Sequence, residues 1–248
     1  MSLADRTPPT AGEYANYRKR FSNWGRWGDR DELGTLNHIT PEARRAAAAL
    51  VAEGKSVSLS RPIDTHAGPS NPFPAHHLIA VGDSGGLMDY LGLFVHGYAN
   101  THLDALCHIP TSDGRHYYNG SPVGHSNLPT TRTGTVEHWR NGIVARGVLY
   151  DVPRLRGADY VERGSPVHGW DLVDCAAAQG SEPRAGDAVL VRAGAGPYFA
   201  AHPGAHGVTG GPGLHASALE FLFETNAALL GWDLLDAATQ DQGIPNPM

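Results

Sequence analysis

The residues best placed to do chemistry lie in Tyr98-Ala99-Asn100-Thr101-His102-Leu103-Asp104-Ala105-Leu106-Cys107-His108. Two imidazoles and a carboxylate stand close together there, just after the apolar run Leu91-Gly92-Leu93-Phe94-Val95. In an extended chain alternate residues share a face, so His102 and Asp104 point the same way. Their ends can then converge on one cation, and neutral imidazole with carboxylate suits Zn²⁺ or Mn²⁺. His108 follows Asp104 by four residues, near enough to be a third ligand or a proton carrier beside a metal. The plain alternative is a strand end whose polar side chains face solvent. Cys107 reads as a small buried residue rather than a nucleophile.

Thr101-His102-x-Asp104-Ala105-x-x-His108 resembles the signature of the cyclase / kynurenine-formamidase-like metal hydrolases, a family that includes isatin hydrolases. There the segment reads His-x-x-Thr-His-x-Asp-x-x-x-His. The resemblance implies that His102 is a metal ligand, that Asp104 is a ligand able to bridge two metals, and that His108 is the acid/base residue. The family's leading histidine falls at position 98, which here is Tyr98. Either a phenol replaces an imidazole there, or the first metal position is weakened or lost. His96 stands six residues before His102, roughly 20 Å away along an extended strand at about 3.3 Å per residue. Only a bulge near Gly97 brings it in.

The second half of such a site is expected where His202, His206 and His215 are spread among glycines and prolines. Pro212-Gly213-Leu214-His215-Ala216-Ser217-Ala218-Leu219 resembles the family's Gly-Leu-Ser-x-Glu-Ala segment, the start of a helix. In the family an upstream histidine and that glutamate complete the metal shell. By position the histidine is best matched by His206, with His202 second. Ser217 occupies the glutamate position, and His215 is the nearby group able to replace it as a ligand. The expected cofactor is thus one divalent Zn or Mn ion rather than two. It would be held by His102, Asp104 and one or two of His206 and His215, with a metal-free site as the alternative. The resemblance also implies a pocket-lining tryptophan near the N-terminus, here Trp24 or Trp27.

The elements that must position these residues follow from pattern. Thr40 caps a helix that starts at Pro41 and runs to Glu53, with Gly54 as its stop. Ser56–Leu59, Leu78–Val81 and Leu91–His96 read as strands, the last delivering the chain to the site. His66, His76 and His77 are expected in loops or at a pocket rim. From Pro110 to Gly142 the chain is loop-like, with His116, Tyr117, Tyr118 and His125 as candidate pocket residues. Ile143–Val152 is a strand interrupted at Gly147, and a helix opens at Ser165-Pro166 and closes at Gly180. Asp187–Arg192 and Ala227–Gly231 are buried strands. Alternating strands and helices argue for an α/β fold. The resemblance narrows it to the swivelling β/β/α cyclase-like type, a curved mixed sheet flanked by helices, in a single domain spanning residues 1–248.

The chain has 248 residues, 41% of them apolar, enough for a substantial core. A net charge of −6 and a pI near 6.1 give no reason to expect nucleic acid or an anionic membrane as partner. The 31 glycines and 18 prolines favour turns and loops over a helical bundle. With Cys107 and Cys175 alone, neither a disulfide framework nor a thiolate zinc site is expected. The N-terminus lacks an apolar signal region, so a cytoplasmic location is the expectation. Relatives often pair, and a homodimer or higher homo-oligomer is expected.

The function this implies is hydrolysis of an amide, lactam or lactone bond in a small aromatic molecule, or the reverse ring closure. Metal-activated water would attack and His108 would move the proton. N-formylkynurenine is the family's best-known substrate. Two alternatives stay open. One is a natural-product tailoring enzyme with Tyr98 and His108 as an acid/base pair and metal optional. The other is a non-catalytic small-molecule binder. A serine-hydrolase reading fails because no Gly-x-Ser-x-Gly elbow occurs.

Overall fold

The computed structural model describes residues 2–124, 133–205 and 210–237. The chain opens with α1 (Ser2–Asp5), α2 (Ala11–Ala15) and α3 (Tyr17–Arg20). Thr10 caps α2 in a box with Glu13, each side chain bonding the other's backbone N–H. Tyr14 and Tyr17 are buried against Ala216, with Phe21 beside them, so the N-terminal segment is seated on the C-terminal third. A 3-10 turn at Gly34–His38 leads to α4 (Pro41–Ala48), where the Thr40 hydroxyl accepts from the Ala43 N–H. The helix stops at Ala48, short of the expected Glu53. None of its residues is buried, and a short helix without an anchored face does not extend itself.

β1 (His76–Val81) and β2 (Leu87–Gly92) form an antiparallel hairpin in which Val81 faces Leu87 and His76 faces Gly92. Its turn is closed by the Gly82 N–H donating to the Gly86 carbonyl at 2.8 Å. The strand expected at 91–96 therefore lies earlier: the chain leaves the ladder at Gly92 and runs on as coil. His76 and His77, expected in a loop, belong to β1. Ser56–Leu59 forms no strand; it is exposed coil with no ladder partner.

Three parallel strands, β3 (Gly147–Asp151), β4 (Ala188–Arg192) and β5 (Leu229–Trp232), lie in that order, with Leu149 level with Leu190 and Leu190 level with Gly231. They are joined through α5 (Val152–Arg156), α6 (Gly169–Gln179), α7 (Ala195–Ala201) and α8 (Ala218–Glu224). α6 begins at Gly169 rather than Ser165, because the Val167 N–H bonds the Gly213 carbonyl at 2.9 Å and holds that residue extended. It ends as expected, at Gly180 in the left-handed conformation with φ 64°. Val148, Tyr150, Val189 and Val191 project from one face of the sheet into a core shared with Leu172, Cys175 and Phe221. Beside it, the buried Asp187 carboxylate accepts a fork from Arg146 at 2.8 and 2.6 Å. The expected mixed α/β architecture holds, with antiparallel and parallel pairings divided between two sheets flanked by helices. No helix among the described residues is long and apolar enough to cross a membrane.

Candidate metal centre

Asp104 gathers three imidazoles. Its Oδ1 lies 3.1 Å from His96 Nε2 and 3.5 Å from His102 Nε2, and its Oδ2 lies 3.9 Å from His108 Nε2. Ligand atoms of His96, Asp104 and His108 all fall within 4.8 Å of one another, while His102 joins through Asp104. The rings of His96 and His108 are stacked, and His102 meets His96 edge-on with centroids 5.3 Å apart. The cluster opens to solvent: His96, Asp104 and His108 have side-chain exposures of 54%, 41% and 36%, and His102 of 20%.

His102 shows how the site suits a cation. Its Nδ1 lies 2.8 Å from the Asn100 carbonyl oxygen, which can only accept, so Nδ1 carries the proton. In the neutral ring Nε2 is then a lone pair, 3.5 Å from a carboxylate oxygen that is itself only an acceptor. A cation between them resolves that opposition, and a second-sphere bond at Nδ1 is the usual way a ligating histidine is oriented. The 3.1 and 3.5 Å separations also bracket the edge of about 3.3 Å that follows from tetrahedral bonds of about 2.0–2.1 Å. The residues present fit a divalent ion.

No regular element carries this stretch, so other contacts fix it. The Arg61 backbone N–H donates to Thr101 Oγ1 at 3.0 Å, and its guanidinium donates to the Tyr98 carbonyl at 3.1 Å. Asn100 Nδ2 donates to the Phe94 carbonyl at 2.9 Å. Leu106 anchors the far end against Gly34 and Gly134, where an added Cβ would stand 3.1 Å from its side chain. Gly97 adopts φ 126°, a conformation that favours glycine, and this bend brings His96 back to Asp104. His96, Arg61 and Asn100 were not assigned roles from sequence; the one signal for His96 was the glycine that follows it.

The other candidates lie elsewhere. Tyr98 is half-exposed, and its phenol makes no hydrogen bond within the cluster among the described residues, so the structure does not assemble it with His108. His215 is buried with Ser217. It accepts the Ser217 N–H at Nδ1, 3.0 Å away, and lies 4.3 Å from the ring of His168. His215 is not among the residues whose ligand atoms gather with Asp104. His206 and His125 lie outside the described residues. His202 hydrogen-bonds the Tyr198 carbonyl at the end of α7. Trp24 is exposed near Gly120, and Trp27 packs on His38 and Arg26. Tyr118 donates to Asp31 at 2.9 Å, and burial with that carboxylate raises its pKa far above the usual phenol. Cys107, expected to be buried, is partly exposed; Cys175 is the buried thiol, pushed up to about 11 by desolvation.

Residues 56–239, which include every member of the cluster, match the family model described as Putative cyclase. A solved crystal structure of a novel cyclase is similar with a TM-score of 0.73 and 28% identity, covering 87% of this chain and 76% of that one. No curated protein matches the chain.

Proposed function

This chain belongs to the Putative cyclase family, and we propose that it hydrolyses an amide, lactam or lactone bond of a small aromatic molecule at a divalent metal. The observation that carries this reading is the approach of His96 Nε2 and His102 Nε2 to one oxygen of Asp104, at 3.1 and 3.5 Å. His96 and Asp104 would hold the ion together with His102, the ligand that the resemblance implies, while His108, whose nitrogen also lies within 4.8 Å of the ligand atoms of His96 and Asp104, is kept for proton transfer. A divalent ion held there, Zn²⁺ or Mn²⁺, would supply a Lewis acid able to lower the pKa of a bound water to about 7 and to polarise a carbonyl.

The chain's own groups divide the remaining work. Asp104 Oδ1 lies nearest His96 and His102, and its Oδ2 lies nearest His108. His108 Nε2 takes a proton from the attacking water and returns it to the departing nitrogen or oxygen. The Asp104 carboxylate, 3.9 Å away, stabilises the imidazolium that forms meanwhile. Stacking on His96 limits how far the His108 ring can turn.

Elemental analysis of the purified protein, paired with turnover of an aryl formamide, an aryl-fused lactam and an aryl lactone, tests this. The expected result is about one divalent ion per chain, with turnover of one substrate lost in Asp104→Asn and in His108→Gln. His108→Gln should keep its metal; loss of metal in that variant would place His108 among the ligands and remove the proton role. Metal-free protein with His108-dependent turnover would point to a tailoring enzyme instead. Absence of both metal and turnover would leave a binding protein.

A further inference from the structure

We propose that a second pocket, sharing no residue with the Asp104 cluster, binds a small carboxylic acid with a flat apolar body, its carboxylate held by Arg26. The cavity, about 190 Å³, lies between the N-terminal segment, the Gly34–His38 turn, α8 and β5. That is smaller than the roughly 300–1,000 Å³ of sites for drug-sized molecules, so the ligand is compact.

Arg26 is the only lining residue with a permanent positive charge. Its guanidinium donates to Asn23 Oδ1 at 2.9 Å and to Asn226 Oδ1 at 2.7 Å. Both acceptors are neutral amides, and no carboxylate pairs with Arg26 among the described residues. The amides orient the fork and leave its charge uncompensated, with further N–H donors to spare. The rings of Trp27 and Phe223 lie 5.1 and 5.8 Å from it, so the guanidinium rests against aromatic surface.

A second, independent group points the same way. His38 lines the cavity, and its Nε2 is buried without a hydrogen-bond partner. Burial, with Arg26 close by, depresses the His38 pKa, so the ring is neutral at neutral pH. A buried ring nitrogen left unpaired is costly, and an acceptor or donor oxygen entering the cavity would satisfy it. The rest of the lining is largely apolar, from α8 and the start of β5. One cation with an apolar wall suits a monoanionic carboxylate, bound through two parallel N–H···O contacts, better than a multiply charged phosphate.

Benzoate is the probe, titrated into the purified full-length chain by calorimetry, with benzamide and acetate as controls. Saturable benzoate binding is expected, with benzamide, acetate and the Arg26→Gln variant each at least about tenfold weaker, the scale of one charge-assisted hydrogen bond or one buried ring. Asp104→Asn should bind benzoate as the wild type does. If Arg26→Gln melts at a lower temperature, His38→Phe carries the test, since it keeps a flat ring and removes the nitrogen; it should also weaken binding. The proposal is overturned if benzoate does not bind, if either pocket variant binds it as tightly as wild type, if acetate matches benzoate, or if Asp104→Asn abolishes binding.

Discussion

The imidazoles of His96 and His108 lie face to face, ring centroids 4.0 Å apart and planes 8° from parallel. Asp104 is within reach of both, His96 Nε2 on its Oδ1 and His108 Nε2 on its Oδ2. The proposed function would put a metal ligand and a proton carrier in these two adjoining rings.

Exchange of the ligand position expected at Tyr98 for His96 can be read in metal content. His96→Ala should lose the bound ion, from about one per chain towards none. Tyr98→Phe should retain it, because the phenol is exposed and outside the cluster's hydrogen bonds. Elemental analysis of both variants decides; retention in His96→Ala would return the ligand role to another residue.

Acid should destabilise the fold between about pH 6.5 and 4. Desolvation lowers His168 and His215 to about 4, so below the unfolded value near 6.5 the unfolded chain binds more protons. Their contribution is present above pH 6.5 and lost as pH falls towards 4, on the order of 2–3 kcal/mol each. Asp236 works against them. Burial raises it to about 6, so it stabilises when protonated and loses that contribution as pH rises through 6. His38, also lowered by burial, adds to the two histidines, so the balance is a net loss of stability in acid. Urea midpoints at pH 7 and 4.5 measure it, and His168→Gln should make the drop clearly smaller.

What the sequence disclosed follows a physical line. The run Asp187–Arg192 was legible because its centre is buried on a sheet, and Gly180 because a left-handed cap needs that residue. His102 and Asp104 were legible because they are two residues apart. The position of His96 was not. It depends on the Gly97 dihedral and on a hydrogen bond from Arg61 to Thr101, forty residues away in the chain. Ser56–Leu59 and the end of α4 misled for one reason: propensity was adequate, but no partner surface buries them.

Burial sorts the leucines. Leu172 is fully buried between α6 and the parallel sheet, and Leu172→Ala should cost about 2–5 kcal/mol. Leu78, exposed on the hairpin, should cost less than about 0.5 kcal/mol in the isolated chain. Denaturant unfolding of both variants at low protein concentration tests the contrast; equal losses would mean that the hairpin is buried in solution.

That last comparison leads to assembly. Leu78, Met88 and Tyr90 lie on one face of the hairpin, and Ile79, Val81, Leu87 and Leu91 share the other with the His77–Asp89 pair, all exposed. A two-stranded hairpin is at best marginally stable in water without a packed face, and apolar patches of this extent usually mark an interface. Self-association through β1 and β2 is the expected outcome. Sedimentation should give a species heavier than the 26.4 kDa chain, and Leu78→Lys, which places a charge beside Tyr90 and Met88 on the face without the His77–Asp89 pair, should return it to the monomer. A monomer at about 100 μM, well above the dissociation constant of an ordinary stable interface, would show that the hairpin is not a contact between copies.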